Sequence, residues 1–325
     1  MSHEFESGLF TNNKKAWHGL GNVVEEKIYS TTEAIKLAGL DWSVVKEPVY
    51  IFNPDGTKTL VENVNAVVRD SDRTILGSVS DRYELLQNKD AFSFFEPFLH
   101  EKDVYISSAI SLFNGRKIVI CAQIEDNTRE IVKNDPIRGH LILATSHDGS
   151  LGTIVKFTDV RVVCNNTLRA ALSSKGEFRS VKHSKKQKEK LVDIQTSINL
   201  YKADFEENVN LYKQMANRQM GVNDFRDYLE KVFASELKAA AKRAEVEEEK
   251  FRLENYRPTA KILDNYKFTP DLQLEGIAGT SWAGFNAITE YVSHQKGNDS
   301  EKRFNSVIFG TDAELLNRAK QFALI

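Results

Sequence analysis

The sequence predicts an α+β fold: an antiparallel or mixed β-sheet of hairpins with interspersed helices, followed by a C-terminal region of long helices. Three observations carry this expectation. Up to about residue 175, short runs rich in Val, Ile and Tyr are separated by turn signals. One of those signals is Asn114-Gly115, the strongest short hairpin marker a sequence offers. Beyond residue 175, charged stretches carry apolar residues at steps of three and four. Strands first and helices afterwards argue for α+β over a doubly wound sheet. The chain accordingly divides into 1–175, an α+β domain, and 176–325, a helical region.

Each element is read from its own residues. Thr31 to Ala38 reads as a short helix with Thr31 or Thr32 as N-cap. Trp42 to Phe52 is a strand, closed by Asn53-Pro54-Asp55-Gly56 and answered by Leu60 to Arg69 and then Thr74 to Val79. Gln87 to Leu99 carries a helical stripe of Ala91, Phe94, Phe95 and Phe98. Val104 to Phe113 and Lys117 to Ile124 flank Asn114-Gly115, and Ile137 to Ser146 and Leu151 to Thr158 flank His147-Asp148-Gly149-Ser150. From Leu191, apolar residues fall at Ile194, Ile198, Tyr201, Phe205, Val209, Tyr212 and Met215. That narrow stripe suits a helix packed on its own sheet or a seam pairing subunits, and a homo-oligomer through helix 191–215 is expected. Ser235 to Asn255 reads as a solvated helix, and Pro258 and Thr269-Pro270 interrupt the chain beyond it.

Composition narrows the function classes. The 325 residues are 41% hydrophobic with a mean hydropathy of −0.41, enough apolar material for a sizeable core. No apolar run approaches the length of a membrane span, and Met1 to Phe10 lacks the pattern of a signal peptide. The two cysteines, Cys121 and Cys164, have no paired spacing, so a reducing cytoplasm is the expected compartment. Cys121 lies in an apolar strand as a small hydrophobe, and Cys164 has no evident base. The seven histidines show no metal-ligand spacing. Ser146-His147-Asp148 names the residues of a hydrolase triad, but consecutive side chains do not converge. Gly19-Leu20-Gly21 lacks the rest of a phosphate loop. No cofactor is expected.

A local concentration of charge remains. Residues 151–190 hold ten Lys or Arg against three acidic residues, a net +7 in a chain of net −2. Separation of this kind tracks a phosphate backbone. The candidate nucleic-acid contacts are the cations Lys156, Arg161, Arg169, Arg179, Lys182, Lys185 and Lys186, with Asn165, Asn166 and Thr167 as donors at a helix start. Phe157 and Phe178 lie within the segment, and Arg82-Tyr83 follows a hairpin, which is the interleaving that base stacking uses.

A set of short motifs runs along the whole chain. They are Ala16-Trp17-His18-Gly19-Leu20-Gly21, the stretch from Val79 to Asn88, Thr145-Ser146-His147-Asp148-Gly149 and TDVRVVCNNTL from Thr158 to Leu168. Near the end stand Trp282, Asn286 to Val292 and Arg303-Phe304. In these the sequence resembles the phage/plasmid-related family of proteins of unknown function. The resemblance implies a mobile-element context and carries over no catalytic residue. The order of helix, three-stranded meander and helix is also similar to single-strand-annealing recombinases. Together these readings point to a non-enzymatic protein binding single-stranded DNA, acting as an oligomer, with single-strand annealing as the expected role. The alternative is an interaction protein that blocks a host factor through the acidic stretch 245–254, which holds five Glu.

Overall fold

The computed structural model describes residues 5–11, 21–99, 104–133, 135–158, 178–197, 201–295 and 311–325. In chain order the strands are β1 (Phe5–Thr11), β2 (Asn22–Val24), β3 (Val44–Phe52), β4 (Lys58–Arg69) and β5 (Ile75–Ser80), then β6 (Val104–Leu112), β7 (Lys117–Val132), β8 (Asp135–Ser146), β9 (Thr153–Thr158) and β10 (Phe178–Val181). The helices are α1 (Thr31–Leu37), α2 (Asn88–Ser93), α3 (Glu96–Leu99), α4 (Gln187–Ser197) and α5 (Tyr201–Asn217), then α6 (Val222–Val232), α7 (Ala234–Arg243), α8 (Arg257–Phe268), α9 (Ser281–Glu290) and α10 (Thr311–Phe322). The fold is α+β.

Two sheets form. The larger runs β10-β9-β8-β7-β6-β1-β2, antiparallel except for the parallel β1–β2 edge, and the smaller is the meander β3-β4-β5. All seven expected strands are present. Three more, β1, β2 and β10, escape sequence reading: β2 and β10 have only three and four residues, and β1 pairs with β6, about a hundred residues away. Because β10 pairs with β9, the large sheet continues past residue 175. Between β6 and β7, Phe113, Asn114 and Gly115 all take positive φ (56°, 55° and 84°), so the loop runs from residue 113 to 116. The asparagine and glycine suit it because that region costs them least.

Both faces of the large sheet are buried. One row, Leu9, Ala109, Ile120, Leu143 and Val155, joins residues of α1, α2 and α4 in a common core. The opposite face carries Phe10, Ile110, Val119, Cys121, Ile142 and Ile154. The helix expected over 87–99 divides into α2 and α3. The cap of α1 is Ser30, whose hydroxyl accepts from Glu33 N at 3.3 Å, rather than Thr31 or Thr32.

The C-terminal region is helical, but of short units: the longest described helix, α5, has 17 residues. Ser235 to Asn255 resolves into α7 and two short 3-10 turns, not one solvated helix. Pro258 sits in the first turn of α8, where its missing N–H costs nothing, and Thr269-Pro270 closes that helix. The expected seam is split between α4 and α5, and Ile198 lies outside the described residues. Phe205, Val209, Tyr212 and Met215 are 0–2% exposed, in one core with Phe225, Ile262, Trp282 and Ile288. That core reaches the far half of the sheet at Ile131 and Phe157. Leu191 and Ile194 join the sheet-side core, and Phe205, Val209, Tyr212 and Met215 pack in the helical core of the same chain.

Candidate nucleic-acid interface

The site grows from three segments distant in sequence. The first begins after β5 and runs to Asn88; the second is the turn after β8, Ser146 to Leu151; the third is the turn from Lys182 that opens α4. Tyr83 joins them. Its ring stacks on His183 at 4.5 Å, and its hydroxyl donates to the Ser146 carbonyl at 2.9 Å. Burial raises its phenol pKa. His183 approaches Thr145 Oγ1 at 3.3 Å and the Glu84 carbonyl at 3.2 Å. Gln187 Nε2 donates to the carbonyls of Glu84 and Leu85, both at 3.3 Å. The turn before α4 is thus fixed to the segment that carries Arg82.

Behind it lies a buried polar support. His147 is 1% exposed, its Nε2 lies 2.9 Å from Asn88 Oδ1, and Trp42 packs on its ring at 5.3 Å. Asn88 in turn donates to the carbonyls of Leu40 and Trp42. Burial pushes the His147 imidazole down to about 3 and lowers His183 as well, so both rings are neutral near pH 7. Neutral histidines bond to carbonyls and amides here without bringing charge into the core.

On the surface of this assembly, Arg82, Lys185 and Lys186 line one pocket of about 540 Å³ together with Ser184, Asp81 and Glu84. Three cations face two carboxylates. Asn65 Nδ2 donates to the Asp81 carboxylate at 2.5 Å, and Lys46 Nζ donates to the Asp81 carbonyl at 2.9 Å. Lys188, one step along α4, bridges to Asp90 at 2.9 Å.

Of the residues expected to contact nucleic acid, Lys185 and Lys186 come together in this pocket. Lys182 and Arg179 are exposed on and just after the edge strand β10 that leads into it. Lys156 is a correction: it lies on β9 opposite Ile142 and Phe178 and is 3% exposed, so it is buried rather than at the surface. Arg161, Asn165, Asn166, Thr167 and Arg169 lie outside the described residues, as does Cys164. The aromatic interleaving is also revised. Phe157 is 6% exposed and packs edge-on against Phe205, while Tyr83 is stacked on His183. Arg82 is the addition, a cation about a hundred positions before its pocket partners. No local pattern places it there; its only mark was the adjoining Tyr83.

Among the described residues, the other candidate groups do not converge on a site. Ser146 Oγ donates to the Leu151 carbonyl, Asp148 accepts from Ser150 N, and His147 turns to Asn88, so the three side chains diverge. Cys121 is fully buried in the sheet. Among the described residues no group of three or more His, Cys, Asp or Glu is placed to hold a metal ion. None of the described helices is long and apolar enough to cross a membrane.

The family model of a domain of unknown function (DUF932) matches residues 75–319. No curated protein and no solved structure matches the chain.

Proposed function

The chain belongs to the DUF932 family, and from that premise we propose that it binds single-stranded nucleic acid, without catalytic chemistry, at the turn that opens α4. The observation that carries this reading is the convergence of Arg82, Lys185 and Lys186 on one pocket in a chain of net −2. Cations gathered on a rigid turn release counterions when a phosphate backbone is laid across them, and this supplies affinity without reading sequence. Lys182 and Arg179 extend the positive track along β10. The resemblance of Val79 to Asn88 and Thr145 to Gly149 to phage/plasmid-related proteins supports a mobile-element context and a bacterial cytoplasm as the place of action, with annealing of complementary strands as the activity such binding serves.

Gel-shift comparison of single- and double-stranded oligonucleotides tests the reading. Wild type should retard the single strand at micromolar protein and low salt, and the Arg82→Ala/Lys185→Ala/Lys186→Ala variant should not. Equal retardation by both proteins contradicts the assignment of this pocket. Absence of retardation by wild type removes the function and turns attention to the exposed acidic stretch around Glu247 to Glu249 as a protein contact.

A further inference from the structure

The pocket that holds Arg82, Lys185 and Lys186 is assembled from two segments about a hundred residues apart, and one side chain closes the joint between them. Glu84 N donates to the His183 carbonyl at 3.3 Å, and His183 Nδ1 meets the Glu84 carbonyl at 3.2 Å, a reciprocal pair of bonds. Gln187 adds bonds to the carbonyls of Glu84 and Leu85, each at 3.3 Å. All these ties stand at the long end of the usual range. Tyr83 covers the His183 ring at 4.5 Å with 14° between the planes. Closing the joint also sets Lys185 and Lys186 beside Arg82, so like charge works against it.

The partners of His183 fix its protonation state. A carbonyl only accepts, so Nδ1 carries the hydrogen, and Nε2, 3.3 Å from Thr145 Oγ1, accepts from that hydroxyl. Thr145 Oγ1 in turn has Thr153 Oγ1 at 3.1 Å. A second proton, taken from solvent at Nε2, meets the hydroxyl hydrogen of Thr145 and leaves a positive charge on a residue only 9% exposed. The side chains around its nitrogens are neutral: Thr145 from β8, Thr153 from β9 and Gln187 from α4. His147, the nearby buried imidazole, is repelled by a charged His183, and Asp148 follows it in the turn. The charged groups of the two joined segments are Asp81, Arg82, Glu84, Lys185 and Lys186, which line the pocket. The carbonyls of Glu84 and Leu151 favour a charged ring, but burial outweighs them and holds the imidazole below its ordinary range.

We propose that this joint is an acid-released latch: protonation of His183 frees the turn before α4 from Tyr83 to Leu85 and parts Lys185 and Lys186 from Arg82. The inference rests on the reading of this pocket as the nucleic-acid site and adds a regulation to it. Opening returns the ring to water, where its pKa is about 6.5. The open form therefore takes the proton first as pH falls. Closure keeps its full strength above about pH 6.5 and loses up to about tenfold for each pH unit below, until the closed form titrates as well. The direction is distinctive. Acid adds positive charge to a protein, which by itself leaves phosphate binding equal or tighter, whereas release of the latch weakens it.

Hydrogen exchange of the protein alone, at about pH 7 and pH 5.5 with rates corrected for their intrinsic pH dependence, tests the latch without nucleic acid. Protection should fall by up to about tenfold in peptides covering Tyr83 to Leu85 and His183 to Gln187, while β6 and β7 keep theirs. His183→Gln, which offers an amide donor and cannot take the proton, should show the same protection at both pH values. Unchanged protection of both segments in wild type overturns the proposal, whatever the variant does. So does a loss that is equal in His183→Gln, or one spread evenly over the sheet. Anisotropy of a labelled single-stranded oligonucleotide at fixed salt then reads the consequence. Wild type should bind up to about tenfold more weakly at pH 5.5 than at pH 7, and His183→Gln no more weakly. Wild-type affinity that holds or rises on acidification overturns control of the pocket by the latch. Wild type that binds no oligonucleotide at either pH removes the reading of the pocket, and the exchange result still decides whether the joint opens.

Discussion

His147 shows how one side chain couples pH to the fold. Its imidazole, held to Asn88 in a nearly closed environment, has a folded pKa of about 3 against an ordinary 6.5. The unfolded chain therefore binds the proton first as pH falls. The contribution of this group is fully present above about pH 6.5 and is lost progressively toward pH 3, by roughly 1.4 kcal/mol per pH unit. His183 shifts in the same direction and steepens the decline. Urea unfolding at pH 7 and pH 5 should show wild type losing about 2 kcal/mol or more. His147→Gln should be less stable at pH 7 and flatter across the interval; an equally steep loss in that variant contradicts the assignment. The sequence made Ser146-His147-Asp148 legible as a turn, from its glycine and polar neighbours. It held no sign of the supporting Asn88, 59 residues earlier, because a buried polar pair leaves no periodicity.

Among the elements, the hairpins were readable because alternation and turn glycines are local signals. β10 and the β1–β2 edge were not, because what stabilises them is a neighbouring strand far away in the chain. The seam of α4 and α5 shows a related ambiguity: a stripe at steps of three and four suits a subunit contact and an internal core equally well. Phe205, 1% exposed, belongs to the internal core. Phe205→Ala should destabilise by about 3–5 kcal/mol, read by urea unfolding. A loss below about 1 kcal/mol would contradict its place in the internal core. The approach of the two sheets is equally specific. A Cβ on Gly77 would stand 2.8 Å from Asp148 Cα, a backbone atom that cannot rotate away. Gly77→Ala should cost about 1–3 kcal/mol, read as a lower thermal midpoint, whereas Gly56→Ala meets no neighbouring atom and pays only for its positive φ.

At the scale of the whole molecule, a chain of net −2 sets cations from two distant segments around one pocket. The +7 run from 151 to 190 pointed to Lys185 and Lys186, while Lys156 shows why counting charge is not enough, since β9 is buried on both faces and its side chain is only 3% exposed. Arg82 needed the three-dimensional fold. The carboxylates of the pocket oppose its cations: Glu84→Gln should tighten single-strand binding by removing a charge that repels phosphate. The most direct measurement is the anisotropy of a labelled single-stranded oligonucleotide titrated with protein over a range of salt. Log affinity should fall linearly with log salt for wild type, with a slope of roughly 0.7 per phosphate contacted. Arg82→Ala/Lys185→Ala/Lys186→Ala should flatten that slope by about 2 and weaken binding to every sequence alike. A slope unchanged by the three substitutions, or an affinity indifferent to salt, would contradict single-strand binding at this pocket.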